Sequence, residues 1–142
     1  LKAEFDLTYV FISHDLNVIR YLCDRVMVMY LGKVVEVGDT ETLYANPAHP
    51  YTRALLASMP AMDPDQRTQV APLAGDPPNP INPPSGCSFH PRCAMAEDVC
   101  ARCAPQLSDA LAGHPVACLM ANADGGHSRQ MPAAASPLVA AP

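Results

Sequence analysis

The first sixty residues alternate between short apolar runs with strand character and short segments with helical periodicity. Tyr9–Ile12 is apolar and rich in β-branched and aromatic residues, which predicts a buried strand. Leu16–Leu22 repeats its apolar residues at helical spacing, and Asp15 just before it is a predicted N-cap. Val26–Leu31 is apolar on both faces, which predicts a central strand of a sheet. Together these elements predict an α/β fold.

A hairpin and two further helices complete this pattern. Gly32-Lys33 predicts a two-residue hairpin turn with glycine first, and Val34–Val37 returns as the paired strand. Helices are then predicted up to residue 45, capped by Asp39 or Thr40, and over residues 51–58, opened by a proline.

Three polar residues, Ser13, His14 and Asp15, follow the first predicted strand directly. Ligands in open α/β sheets sit at the carboxyl ends of the strands, so His14 is a candidate functional residue. A solvated turn histidine is the alternative. His49 precedes the last predicted helix, and we interpret it as a residue that starts this helix, because no partner nucleophile lies nearby in the sequence.

The chain changes character after the first sixty residues, since fourteen of its 16 prolines lie from Pro60 onward. We therefore predict four parts: an α/β remnant of a larger domain over 1–59, a proline-rich linker over 60–86, a cysteine-rich metal-binding extension over 87–120 and a disordered tail over 121–142. Sixty residues bury too little surface to be comfortably stable alone, and the sequence begins at Leu1. We expect it to be a fragment of a larger protein.

Charge and hydropathy exclude several classes of protein. The net charge is −5, and acidic and basic residues are mixed, which argues against a nucleic-acid partner. No apolar stretch approaches the roughly 18 residues that span a bilayer. No charged-then-apolar leader begins the sequence. We expect a soluble, cytoplasmic protein.

Five of the six cysteines fall within one short segment. They are Cys87, Cys93, Cys100, Cys103 and Cys118. Such clustering in a chain without secretory features indicates metal or redox chemistry, because thiolates select zinc or iron–sulfur clusters. Zinc sites built from cysteines usually contain close pairs, and Cys100 with Cys103 is the one such pair. Spacing leaves zinc, an iron–sulfur cluster and reduced or disulfide-linked cysteines open. His90 and His114 lie among these cysteines, and their adjacent prolines favour turn positions over metal ligation.

The motifs FISHDL and CDRVMVMYLGKVVEVGDTETLYANPAHPYTRALL closely resemble the last third of an ABC-transporter ATP-binding subunit of the peptide-importer branch. The resemblance covers roughly Leu7–Ser58. It implies the C-terminal part of a P-loop NTPase domain, in which His14 is the switch histidine that reaches the γ-phosphate of ATP across a dimer interface. ATP and Mg²⁺ are implied for the intact protein. The chain has no G-x-x-x-x-G-K-[ST] loop, no LSGGQ-like signature and no apolar run ending in Asp-Glu, so we expect it to be inactive by itself.

The segment GCSFHPRCAMAEDVC…GHPVACL also resembles the C-terminal extension of these ATPases. The family spacing C-x5-C-x6-C-x17-C selects Cys87, Cys93, Cys100 and Cys118. The resemblance implies that these thiolates hold a [4Fe–4S] cluster in at least some members, with zinc as the alternative. Cys103 lies outside this spacing and is a spare thiol or an alternative ligand.

The resemblance implies an ATP-binding and ATP-hydrolysing subunit of an ABC importer that energises dipeptide or oligopeptide uptake. Its implied partners are a second ATP-binding subunit, two membrane permease subunits and, indirectly, an extracytoplasmic peptide-binding protein, with no nucleic acid. The implied location is peripheral, at the cytoplasmic face of the inner membrane. The alternative is a cysteine-rich regulatory or interaction module that binds an iron–sulfur cluster or zinc without catalysis of its own.

Overall fold

The computed structural model describes residue 5 and residues 7–59, 73, 75–109 and 113–131. The first half of the predicted linker lies almost entirely outside the described residues. The elements in chain order are helix α1 (Leu16–Leu22), strand β1 (Arg25–Tyr30), strand β2 (Lys33–Asp39), helix α2 (Thr40–Ala45), helix α3 (Pro50–Ala57), a 3₁₀ turn (His90–Arg92), helix α4 (Asp98–Arg102) and a second 3₁₀ turn (Ala123–Gly125).

Helix α1 has the bounds and the cap that the sequence predicts. The Asp15 carboxylate accepts hydrogen bonds from the backbone N–H groups of Asn17, at 3.0 Å, and Val18, at 3.2 Å. These bonds satisfy two of the N–H groups that the first turn of a helix leaves unpaired. Among the described residues, no helix is long and apolar enough to cross a membrane.

The strand predicted over Tyr9–Ile12 is wrong for the described structure. Residues 7–12 form no strand there, and the side chains of Val10 and Ile12 are 93% and 92% exposed. A buried strand needs hydrogen-bonded neighbours and a covering layer, and the two strands of the described sheet pair with each other. The Ser13–Asp15 stretch therefore does not follow a sheet strand in the described part of the chain.

Strands β1 and β2 form an antiparallel hairpin whose turn differs from the predicted one. Its central residues are Leu31 and Gly32, and Lys33 already pairs with Tyr30. The turn residues have φ of +46° and +74°, and positive φ at both positions is typical of the type I′ turns that join twisted strands. Glycine is therefore needed at the second turn position.

A bulge in β2 changes which side chains reach the interior. Val28 pairs with Glu36 but Met29 pairs with Val34, so Val35 is an extra residue in β2. A bulge of this kind re-aims the neighbouring side chains. Both Val35 and Glu36 are buried, although strict alternation would place them on opposite faces.

Strand β1 is not buried on both faces within the described structure, contrary to the prediction of a central strand. Val26 and Tyr30 are buried, whereas Met27 and Met29 are 60% and 53% exposed. The described sheet has two strands, and the described residues cover only one of its faces at β1.

The cysteine-rich segment packs directly on this hairpin. The N–H of Val37 donates to the carbonyl of Pro115 at 2.8 Å, and the N–H of Ala117 donates to the carbonyl of Val35 at 2.8 Å. Phe89 packs edge-to-face on Tyr30, with ring centroids 5.2 Å apart. The segment therefore shares a core with the hairpin, and the division of the chain into domains stays a prediction.

Residues 122–131 are ordered against this core, which corrects the prediction of disorder from residue 122 onward. The N–H of Met131 donates to the carbonyl of Met120 at 2.8 Å, and His127 is 5% exposed. Polar contacts hold this stretch in place, so its small apolar content does not prevent it from folding. Residues 132–142 lie outside the described residues.

Candidate functional site

Four of the five clustered cysteines line one cavity. They are Cys87, Cys93, Cys100 and Cys118, the set selected by the family spacing. Cys103 is exposed and does not line this cavity. The imidazoles of three histidines complete much of its wall, and they belong to His49, His90 and His127. The structure thus brings together thiols that lie up to 31 positions apart in the sequence.

Short backbone contacts fix the positions of these thiols. The N–H of Cys87 donates to the carbonyl of Cys100 at 2.8 Å, which ties the start of the segment to helix α4. Gly86 precedes this contact with φ of +65°, and a Cβ on it would lie 2.3 Å from the same carbonyl oxygen. Only glycine allows this close approach.

Three of the four thiols accept hydrogen bonds from peptide N–H groups. The N–H of Met95 donates to Sγ of Cys93 at 3.4 Å. Cys87 accepts from the backbone of Phe89 and His90, and Cys118 from the backbone of Met120. In all three cases a donor lies two residues after the cysteine, and such bonds stabilise the thiolate form that binds metals.

In the absence of a cation these thiols hold their protons tightly. Burial raises the pKa of Cys87 and Cys93, and it raises the pKa of Cys118 to about 11. The neighbouring cysteines contribute further, because several thiolates would repel one another. A bound metal would compensate this repulsion and replace the protons.

The described side chains leave little room between the thiols. The cavity volume is about 20 Å³, which is close to the space of one water molecule. Among the described residues, no three His, Cys, Asp or Glu side chains converge in the manner of a metal site. The described arrangement is therefore not a preformed metal site, and binding a metal would require these side chains to move.

A buried carboxylate joins the cysteine-rich segment to the hairpin. Glu36 is completely buried, and its carboxylate accepts from the N–H groups of Ala48, at 2.6 Å, and His49, at 3.1 Å. Its Oε1 also lies 2.6 Å from Nε2 of His114. His114 is therefore a buried partner of Glu36 and is not among the residues that line the cysteine cavity. The sequence analysis, which favoured a turn position, missed this contact. The one hint in the sequence was an acidic residue in the middle of an apolar strand.

His49 starts helix α3, as the sequence analysis interpreted it. Its Nδ1 accepts the N–H of Tyr51 at 3.0 Å, so its side chain is the N-cap. The ring also hydrogen-bonds the backbone of Ala117, next to Cys118. Burial lowers the pKa of His49 to about 4, so the ring is neutral at neutral pH.

This buried neutral ring predicts a loss of stability in acid. An unfolded histidine binds a proton below about pH 6.5, whereas folded His49 binds one only near its pKa of about 4. The free energy of unfolding that depends on neutral His49 is therefore fully present above about pH 6.5. It declines between about pH 6.5 and about pH 4, by about 3 kcal/mol at 1.36 kcal/mol per pH unit. Urea unfolding at pH 7 and pH 4.5 measures this loss. The His49→Asn variant keeps a capping oxygen without the titration, and an equal pH dependence in this variant would contradict the assignment.

His14 lies apart from the cysteine cavity. It is exposed, immediately before the capping residue of α1, and the N–H of Asp15 donates to Oγ of Ser13 at 3.0 Å. The described structure thus leaves the His14 imidazole open to solvent. The proposed contact between His14 and a nucleotide stays a prediction.

Most of strand β2, the two helices that follow it and the first three cavity cysteines lie within a match to a known family model. Residues 35–100 match the model of the oligopeptide/dipeptide transporter C-terminal region. Over 122 residues the chain is 54% identical to a peptide import ATP-binding protein of Brucella ovis. The aligned residues are 86% of this chain and 38% of that protein.

Two further relatives are similarly close. A dipeptide transport ATP-binding protein of Haemophilus influenzae is 48% identical over 118 residues, which are 83% of this chain and 36% of that protein. Its Escherichia coli counterpart is 46% identical over 129 residues, which are 91% of this chain and 38% of that protein. These matches confirm the resemblance to peptide-importer ATP-binding subunits that the sequence motifs indicated. The chain spans well under half the length of these relatives.

Proposed function

We propose that this chain is the C-terminal part of the ATP-binding and ATP-hydrolysing subunit of an ABC importer for dipeptides or oligopeptides. The observation that supports this most strongly is the similarity to peptide-import and dipeptide-transport ATP-binding proteins over 83–91% of the chain. The family match over residues 35–100 reaches the first three cavity cysteines and supports the same proposal. The alternative, a cysteine-rich module without catalysis, gains no support from relatives named for ATP binding.

In this proposal His14 contacts the γ-phosphate of ATP. Phosphoryl transfer to water depends mainly on positioning and on stabilising charge that develops in the transition state. An exposed imidazole placed just before a short helix can donate a hydrogen bond to a phosphate oxygen and orient the attacking water. The phosphate-binding loop and the Mg²⁺ ligands belong to other parts of the intact protein, so this chain alone is expected to be inactive.

The proposed assembly follows from the same similarity. Two ATP-binding subunits bind beneath two permease subunits at the cytoplasmic face of the inner membrane, and an extracytoplasmic binding protein delivers the peptide. The test is ATP hydrolysis by the intact subunit, assembled with its permeases in lipid vesicles. We expect hydrolysis to rise when a peptide-loaded binding protein is added. Hydrolysis that stays at its basal rate with every dipeptide and oligopeptide tested would contradict the proposal.

The cysteine cavity is the proposed site of a [4Fe–4S] cluster held by Cys87, Cys93, Cys100 and Cys118. Four thiols on one cavity and the peptide N–H donors to three of them support this ligand set. The cluster would compensate the thiolate charges and cross-link distant parts of the cysteine-rich segment, from Cys87 to Cys118. It is larger than the present gap, so loading would move the thiols outward.

Zinc suits the cavity less well. A zinc ion holds four sulfurs at about 2.3 Å and commonly uses close cysteine pairs. The only such pair in the sequence includes Cys103, which is exposed and outside the cavity.

Metal analysis of two cysteine variants tests the ligand set. After anaerobic purification we expect about four iron and four sulfide per intact chain. The Cys93→Ser variant is expected to lose most of this iron, and Cys103→Ser is the matched control that keeps it. One zinc per chain without iron, or equal iron in both variants, would contradict the proposed cluster.

A further inference from the structure

His127 is buried against the cysteine cavity although it lies in a stretch of small and polar residues. Its Nε2 lies 2.9 Å from the carbonyl oxygen of Met95, and its Nδ1 accepts the N–H of Arg129 at 3.1 Å. Because Nδ1 accepts, we assign the ring proton to Nε2, which then donates to Met95. Both ring nitrogens are occupied, so His127 lines the cavity without being free to bind a metal.

The contact between His127 and Met95 acts on one of the cavity thiols. Met95 is the residue whose N–H donates to Sγ of Cys93. The Met95 side chain is also held, because its Sδ lies 3.1 Å from Nη1 of Arg129. His127 and Arg129 therefore fix the backbone and the side chain of the residue that hydrogen-bonds Cys93.

The rest of the stretch anchors this contact at both sides of the cavity. Residues 122–131 are called the C-terminal strap here. The N–H of Ser128 donates to the Glu97 carboxylate at 2.9 Å, and the Ser128 hydroxyl donates to the same group. At the other end, the N–H of Met131 donates to the carbonyl of Met120, whose own N–H is bonded to Cys118. The strap thus contacts both residues, Met95 and Met120, whose N–H groups donate hydrogen bonds to the thiols of Cys93 and Cys118.

Two glycines allow the strap to turn back over the cavity. A Cβ on Gly125 would lie 2.5 Å from the carbonyl oxygen of Leu119, so no larger residue fits without movement. Gly126 follows with φ of +70°, in the left-handed region that favours glycine. The sequence ADGGHSRQ therefore encodes a tight reversal that delivers His127 to the cavity.

We propose that His127 is a positioning residue for Cys93 and that the C-terminal strap closes the cysteine cavity. The strap keeps the Met95 N–H directed at the Cys93 sulfur and excludes solvent and reagents from the thiols. Its effect on a cluster rests on the proposed function above, whereas its effect on thiol access does not. Hydrogen bonds to cluster sulfurs and solvent exclusion set the reduction potential and retention of iron–sulfur clusters.

The first test measures thiol access without any metal. Purified full-length protein, stripped of metal under anaerobic conditions, is treated with iodoacetamide, and the alkylation of each cysteine is followed by mass spectrometry. We expect His127→Ala to accelerate alkylation of Cys93 about tenfold or more relative to the exposed Cys103, because burial raises the pKa of Cys93 more than the Met95 hydrogen bond lowers it, so opening the cavity favours the reactive thiolate and admits the reagent. His127→Gln, whose amide can donate to Met95, is expected to restore much of the protection.

Two controls separate a local effect from unfolding. Gln130→Ala removes only an exposed side chain that donates to the His127 carbonyl, and it is expected to leave Cys93 protected. If His127→Ala unfolds the protein, the buried Cys100 is alkylated as fast as the exposed Cys103. In that case the milder Ser128→Ala variant tests the proposal, and it is expected to accelerate alkylation of Cys93 as well. Unchanged Cys93 alkylation in folded His127→Ala would overturn the proposal.

The second test uses the loaded protein. We expect His127→Ala to shift the reduction potential of the cluster and to speed iron loss to a chelator about tenfold, because the Cys93 thiolate loses a fixed donor and the cavity gains solvent. An unchanged potential and iron-loss rate would overturn the positioning role. A wild-type protein without iron would overturn the proposed cluster alone, since the alkylation result still decides whether the strap closes the cavity.

Discussion

Replacement of Glu36 by alanine is expected to destabilise the protein by about 3–5 kcal/mol. The reason is that the buried groups that contact its carboxylate would lose their hydrogen-bond acceptor. The N–H groups of Ala48 and His49 and the His114 imidazole all converge on Glu36, which has no exposed surface. None of these groups reaches water to replace the lost contact. The loss is expected to weaken the packing of the cysteine-rich segment on the hairpin, since His114 belongs to the segment and Glu36 to the hairpin.

Urea unfolding of the purified full-length protein measures this effect, with Glu41→Ala as the matched control. The Glu41 carboxylate lies 3.5 Å from Arg20 and is 80% exposed, so its removal is expected to cost less than about 1 kcal/mol. His114→Ala leaves Glu36 with its two N–H donors. Its expected loss of stability, about 1–3 kcal/mol, lies between those of Glu41→Ala and Glu36→Ala. A Glu36→Ala variant as stable as the Glu41→Ala control would show that Glu36 does not join the two segments.

The second large effect is expected at His14. In the intact importer subunit, His14→Ala is expected to lower the rate of ATP hydrolysis by about 10²–10³-fold, the usual result of removing one group that stabilises transition-state charge. Nucleotide binding is expected to change little, because the loop that cradles the phosphates is untouched. The exposed position of His14 leaves its ring available for this contact.

Steady-state ATP hydrolysis and nucleotide affinity are measured on the same preparations. Asn17→Ala is the control, because Asn17 is exposed and contributes only its backbone N–H to the Asp15 cap. ATP hydrolysis near the wild-type rate in the His14→Ala variant would contradict the assignment of His14 as the switch histidine. Equal losses in both variants would instead indicate damage to helix α1.

Local chemistry in the sequence determined several features correctly. Asp15 before an amphipathic run specifies the start of helix α1, because a short acceptor side chain satisfies the first N–H groups of a helix. His49 before Pro50 similarly specifies the start of helix α3. The family resemblance selected four cysteines, and the fold brings these four thiols to one cavity. Their role as metal ligands stays a prediction. In each case the decisive residues either lie within one turn of each other or match a motif.

Other features depended on contacts between distant segments, and only the tertiary structure decided them. Tyr9–Ile12 has strand composition, but a strand forms only where partners are present. The β2 bulge turned Glu36 inward, where His114 lies beside it 78 positions further along the chain. His127 likewise became part of the cysteine cavity through hydrogen bonds to Met95 that no hydrophobic pattern encodes. The sequence by itself determined the helix caps, whereas long-range pairing decided which polar groups are buried together, because burial depends on what the rest of the chain places around each residue.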